Sequence, residues 1–526
     1  MVRTRFSVAA IAAAGVSLAQ PAFAQVDDGK LGKVHFETSC TPEAQKLFDQ
    51  GMLYQHSFWF RASQKVFEDV LKADPECGIA YWGIALSLLL NPHVPTPAKN
   101  LAEGAAAIAK GKSVGAKTQR ERDYIDALAI IYVDHDKVGH LPRTQGYAKA
   151  MEEVAQRYPN DDEAQIHYAL SLNASASAAD KTYANQLKGA AILEPIFARQ
   201  PQHPGVAHYL IHLYDYPPIA EKGLNAARIY AKIAPDAAHA QHMPSHIFTR
   251  VGAWQDSIET NRRSEETARK NNTPDEILHA IDYQVYAALQ LGRDAEAMRA
   301  IERGEAEAAR YERNAGAYAL AAGGARYAME RGDWKMAAQL KPRASKFPYA
   351  DAMIHFARAI GAARSGDADS AQKDVAQLSQ LRDALAARKD AYWTGQVEVQ
   401  RLSAQAWVEL AQGKPEAALA LMRQAADMQD ASEKATVTPG YVGPARELLG
   451  EMLLELNQPA QALKEFEVSA QHDPNRFRGI YGMALAAAQS GDAAKARAYY
   501  VKLVELAAKG DPRPELQQVK TWLARN

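Results

Sequence analysis

Elements of this chain recur every 34 residues. Pro201 and Pro235 are 34 apart, as are Gly332 and Gly366, and Pro459-Ala-Gln-Ala462 returns as Ala493-Ala-Lys-Ala496 at the same spacing. A fixed period of this length specifies a stack of similar helical hairpins, each burying its apolar side against its neighbours. Most segments read as amphipathic helices of about three turns with short polar links, and no alternating strand pattern occurs. The expected fold is therefore all-α, a right-handed superhelical solenoid of stacked antiparallel helix pairs. Such a stack lengthens by adding repeats, so 526 residues need not divide into several globular cores.

The N-terminus reads as an address rather than as part of the fold. Arg3 and Arg5 precede an apolar run from Phe6 to Leu18, and Ala22-Phe23-Ala24 places small residues where a signal peptidase reads them. Residues 1–24 are expected to be a signal peptide cleaved before Gln25, which implies a periplasmic or secreted protein. The run is too short for a membrane span, and no other stretch is long and apolar enough for one. Removing Arg3 and Arg5 leaves 59 bases against 62 acids. A nearly neutral surface argues against nucleic acid as a partner. Cys40 and Cys77 are the two cysteines. In an oxidising compartment they invite a disulfide that staples the N-terminal segment over the first hairpin; two separate buried thiols are the alternative. Neither Cys-x-x-Cys nor Cys-x-x-Cys-His occurs, which excludes thioredoxin-like chemistry and c-type haem attachment.

The spacing of small residues, aromatics and prolines resembles the tetratricopeptide repeat (TPR). In the first hairpin Gly51, Tyr54, Phe67 and Pro75 match its pattern, with Ser63 in place of the usual Ala. Gly450, Ala462, Phe466 and Pro474 match near the C-terminus, followed by Gly491, Ala496 and Tyr500. Gly252, Gly292, Gly332, Gly366 and Gly413 fit the turn between paired helices. The resemblance runs from about residue 44 to the end and weakens at 95–145, 172–190 and 378–398, where longer links are expected. It divides the chain into an N-terminal segment (25–43), a TPR-like array with a histidine-rich groove (44–310) and a second array (311–526). The chain also resembles a group of secreted bacterial TPR proteins. The shared phrases are His56-Ser-Phe-Trp-Phe60, Ala80-Tyr-Trp-Gly83, His242-Met-Pro-Ser-His-Ile-Phe-Thr-Arg250, Val437-Thr-Pro-Gly440, Pro444-Ala-Arg-Glu447 and Pro474-Asn-Arg-Phe477. That resemblance implies a fold and an export route, not an activity.

Histidines cluster in register. His203, His208, His212, His239, His242 and His246 are six of fifteen, packed into 44 residues. With Pro235 as position 32 of its repeat, that repeat starts at Pro204 and the next at Ala238. His208 and His242 then fall at position 5, and His212 and His246 at position 9. The TPR resemblance implies that positions 2, 5, 9 and 12 of the first helix line the concave groove. Asp215 takes position 12, His239 position 2, and His167 and Asp282 position 5 of earlier and later repeats. Histidines four apart share a helix face, so His208, His212, His242 and His246 are expected to converge on one centre. That set suits a transition metal such as Zn, Cu or Ni, with Asp215 as an oxygen ligand or as a support for an imidazole. The same cluster suits an anionic or aromatic ligand held by hydrogen bonds, or a structural network with no ligand. Pro244 disfavours a helical Met243, so a helix is expected to begin near Pro244, with His242 in a turn.

Catalytic signatures are missing. A zinc-protease helix needs Glu directly after the first His, and here Tyr209 and Met243 stand there. No Gly-x-Ser-x-Gly elbow or phosphate-binding Gly-rich loop occurs. The aromatics of 56–60 are expected to build core with Tyr81 and Trp82. Val437-Thr-Pro-Gly440 reads as a shaped loop leading into a repeat, from which Arg446 is a candidate to hold a carboxylate in the groove. The leading functional expectation is an exported scaffold presenting its groove to a protein, a peptide or a small ligand, and not an enzyme. The competing expectation is a metal-binding protein built on the histidine register.

Overall fold

The computed structural model describes residues 30–525 apart from 178 and 312. The expected signal peptide lies outside the described residues. The described chain is a succession of α-helices from Pro42–His56 to Pro514–Arg525, with no strand among the described residues. Most successive helices pack against each other as antiparallel pairs, and many also touch the next but one, as Pro348–Arg364 does with Ala368–Ala387 and Ala391–Ala411. This is a TPR-like stack of helix pairs.

The repeat signature is a packing device. Phe67 is fully buried, and a Cβ added at Gly51 or Gly83 would lie 2.8 or 2.6 Å from its ring. The two glycines admit one aromatic between three helices. Phe466 is held in the same way by Gly450 and Gly482 near the C-terminus. Turn glycines do a different job: Gly252, Gly292, Gly332, Gly366, Gly413 and Gly491 all have φ between 62° and 87°, where a side chain is strained.

Residues 31–40 lie across the first repeats. Phe36 is fully buried, with its ring centroid 5.1 Å from Phe48, 5.3 Å from Trp82 and 5.0 Å from Tyr124. Ser39 donates its backbone N–H and hydroxyl to Glu121, and Glu121 also closes a capping box with Thr118. Cys40 and Cys77 are joined in a disulfide with Cα atoms 5.1 Å apart, stapling this segment to the start of the second hairpin.

Two stretches expected to hold longer links are mostly helical. Residues 95–145 contain Ala98–Val114, Gln119–Tyr132 and the start of His140–Arg157, because apolar-faced helices fit there despite the slipped period. Residues 378–398 are not a long link. Helices Ala368–Ala387 and Ala391–Ala411 grow by extra turns and meet at a short bend, so the period slips through helix length. The stack also closes on itself. Trp254 Nε1 donates to Asn475 O at 2.7 Å, Phe477 N donates to Gln290 Oε1 at 3.0 Å, and Asp511 N donates to Gly292 O at 2.8 Å. Arg513 forms a buried ion pair with Asp294. The C-terminal repeats thus seat against the middle of the chain.

Candidate metal centre

Helix Pro204–Tyr214 begins with Pro204 at its first turn, where the missing N–H costs nothing, and His203 accepts Val206 N–H as its cap. Its histidines, His208 and His212, lie one turn apart with Nε2 atoms 3.1 Å from each other. His239, from helix Ala238–His242 of the next repeat, brings its Nε2 to 3.2 Å from that of His208. One repeat later the arrangement returns. His242 and His246 have Nε2 atoms 3.0 Å apart, and His279 of helix Pro274–Gln290 completes the set. In each trio one ligand atom per residue lies within 4.8 Å of the others. Three nitrogens bound to a common ion at about 2.0–2.1 Å would stand roughly 3.3 Å apart, close to these spacings.

Both trios use one positional rule: positions 5 and 9 of one repeat and position 2 of the next. The four imidazoles expected to converge on one centre thus lie in two adjacent groups of three. His239, expected in the groove, joins the first. His279 was missed by the sequence reading, although it carries a signal: with Asp282 at position 5, His279 falls at position 2, as His239 does. Pro244 does start a helix, Pro244–Arg250. His242, however, closes a helical turn rather than lying in a loop, because Met243 keeps φ −52° and ψ −38°. Proline at the first position of the second helix lets the axis continue, so His242 and His246 still share a face.

The outer nitrogens explain why the inner ones face each other. His208 Nδ1 donates to His56 O at 2.7 Å and His246 Nδ1 donates to Asp215 Oδ2 at 2.9 Å. Asn261 gives its amide N–H to Ser257 O, so its Oδ1 accepts from His242 Nδ1 at 2.7 Å. A neutral imidazole that donates through Nδ1 carries a lone pair on Nε2. His242 and His246 therefore aim two lone pairs at each other across 3.0 Å. A cation between them satisfies both. Protonation is opposed by burial, which holds His208, His212, His242 and His279 well below the usual histidine range and pushes His239 down to about 3, with neighbouring imidazoles adding to the effect.

Asp215 is placed behind the trios rather than among the ligand atoms. Its Oδ2 accepts from His246, its Oδ1 accepts from Arg250 Nε at 2.8 Å, and Lys434 Nζ lies 3.3 Å from Oδ2. Burial alone would raise its pKa, but Lys434, Arg250 and His246 hold it well below the carboxylate range. Lys434 is brought by the loop between helices Pro415–Asp430 and Ala445–Glu455, and burial pushes its ammonium down to about 8. That loop packs onto the neighbouring helices: Thr438 O accepts from Tyr283, and Arg326 donates to Thr438 Oγ1 at 2.9 Å and Gly440 O at 2.6 Å. Asp282 is paired with Arg326 beneath it. Arg446 does not reach toward a groove ligand, because Asp430, Glu465 and Asp427 occupy its guanidinium.

His167 joins a third group with His56 and Glu163 whose donor atoms also lie close enough to hold an ion; its buried Nε2 is 3.8 Å from Glu163 Oε2 and has no hydrogen-bond partner among the described residues. Glu163 accepts from His56 at 3.1 Å and from His203 at 2.9 Å, and Tyr209 lies 3.0 Å from His56 Nδ1. Burial would raise Glu163, but the two imidazoles hold it well below its usual range. Phe58 departs from the expected core with Tyr81 and Trp82. With φ 54° it turns toward the Pro204 helix, its ring 4.3 Å from His208, 5.6 Å from His212 and 5.3 Å from His239. Behind Phe58 lies a small apolar cavity of about 40 Å³, walled by Leu86, Leu89, Pro92, Ile131 and Tyr147.

Among solved structures the chain is similar to the human IFIT1 dimer with m7Gppp-AAAA, with a TM-score of 0.40 at 11% identity over 82% of this chain and 90% of that one. It is also similar to the APC/C hetero-tetramer Cut9–Hcn1, with a TM-score of 0.31 at 11% identity over 92% of this chain and 95% of that one. Likeness at this level carries no argument about function. No protein-family model and no curated protein matches the chain.

Proposed function

We propose that this protein binds two metal ions, one in each histidine trio, using the TPR-like stack to align the donors. The observation that carries the reading is the pair of inward lone pairs on His242 and His246, fixed by Asn261 and Asp215 from outside. All-imidazole sets suit copper or zinc, and the outer hydrogen bonds orient and strengthen the ligands. The loop carrying Lys434 and Thr438 contacts Asp215 and Tyr283 beside the histidines, which supports this reading over a peptide laid along them. A small ligand remains part of the proposal, since the cavity behind Phe58 adjoins the first trio. Export to the periplasm or beyond is proposed as well, supported by the Cys40–Cys77 disulfide and by the leader-like residues 1–24.

Elemental analysis after stripping and reloading with Cu or Zn is expected to find two ions per chain. His208→Ala and His246→Ala should each remove one, and together both, with the helical circular dichroism unchanged. Full occupancy in the double variant would eliminate these ligand sets. A mature chain starting anywhere other than Gln25 would overturn the proposed processing.

A further inference from the structure

The two trios are neighbours as well as copies. His212 of the first lies 6.1 Å from His246 of the second, centroid to centroid, and His239 lies 6.1 Å from His242. Within the trios the ring pairs His208–His212 and His242–His246 are 4.8 and 5.0 Å apart. Ions held in these trios would therefore be close neighbours among buried rings.

The surroundings of the trios set limits on what they hold. Neither trio contains a carboxylate, and the nearby Asp215 is matched against both Arg250 and Lys434. Two divalent ions alone would bring four uncompensated positive charges into a buried space, at a large desolvation cost. Two cuprous ions bring half that charge, and cuprous copper accepts three neutral imidazoles while leaving coordination positions open. Phe58 and the cavity behind it make the approach apolar, which suits a small uncharged diatomic.

We propose that the two trios together form a single dicopper centre that binds dioxygen between its ions. The proposal rests on the metal-binding reading above. Each Cu(I) gives up one electron, the O–O double bond is reduced to the single bond of peroxide, and that dianion bridges two Cu(II) ions. No proton is consumed. The two negative charges of peroxide offset the two charges gained by copper, so the buried net charge is unchanged. Loss of dioxygen returns both electrons to copper.

The full chain with its disulfide intact, loaded anaerobically with Cu(I), should take up one dioxygen per copper pair. The resulting Cu(II) pair should lose its electron paramagnetic resonance signal through coupling. His279→Ala, which leaves one trio whole, should restore an ordinary Cu(II) signal and abolish uptake. Two coppers bound per wild-type chain with a full-amplitude signal, or without dioxygen uptake, would overturn the shared centre and leave metal binding standing. Binding of fewer than two coppers would defeat the metal-binding reading itself. The wild-type measurement decides the matter even if the variant does not fold.

Discussion

Single buried charges set much of the chemistry of this stack. Arg476 is 1% exposed and links Glu447 (2.8 Å), Glu330 (2.6 Å) and the Tyr286 hydroxyl (2.7 Å) between the C-terminal and middle repeats. Two carboxylates share one guanidinium, and burial pushes Glu447 up to about 7 despite Arg476. A raised carboxylate pKa means the folded state holds the proton more tightly than the unfolded chain. The linked stability is therefore full below the unfolded value near 4.5 and is lost as pH rises toward 7. Denaturant titrations from pH 5 to 7.5 should reveal a decline on the order of 2 kcal/mol, absent in Glu447→Gln. An unchanged decline in that variant would assign it to another group.

At the scale of the helix pair, stability concentrates where glycine meets aromatic. Phe466 fills a slot shaped by Gly450 and Gly482, so Phe466→Ala leaves a cavity between three helices and should cost about 3–5 kcal/mol. Gly450→Ala fails in the opposite way. Its Cβ would stand 2.7 Å from a ring with nowhere to go, and a loss of about 1–3 kcal/mol is expected. Chemical denaturation of the two variants measures both. A neutral Gly450→Ala would mean that the helices separate more readily than this packing implies.

The whole molecule is held by links that repeats alone do not provide. The Cys40–Cys77 bond closes a 37-residue separation, and reduction should lower stability by about 3–4 kcal/mol, chiefly through the freed unfolded chain. Unfolding with and without reductant reads this directly, and equal midpoints would assign the N-terminal segment's hold to the packing of Phe36 alone. At the other end, Asp511 and Arg513 tie the last repeats to Gly292 and Asp294. The loop carrying Lys434 then packs onto the histidine helices, through Lys434 to Asp215 and Thr438 to Tyr283.

Local chemistry made the helices, their period and the turn glycines legible before any coordinates, because helix faces and hairpin turns depend on neighbours a few residues away. The positions 5 and 9 of the histidines followed from the same arithmetic, and His279 at position 2 was within its reach. Folding decided the rest. Which nitrogen His208, His246 and His242 turn inward depends on His56, Asp215 and Asn261, contributed by other helices. Whether Arg446 is free depends on Asp427, Asp430 and Glu465, which surround it only once the hairpins stack. Whether four histidines gather in one group or six in two depends on the path of the superhelix, a sum of small rotations over many repeats that no single stretch of chain encodes.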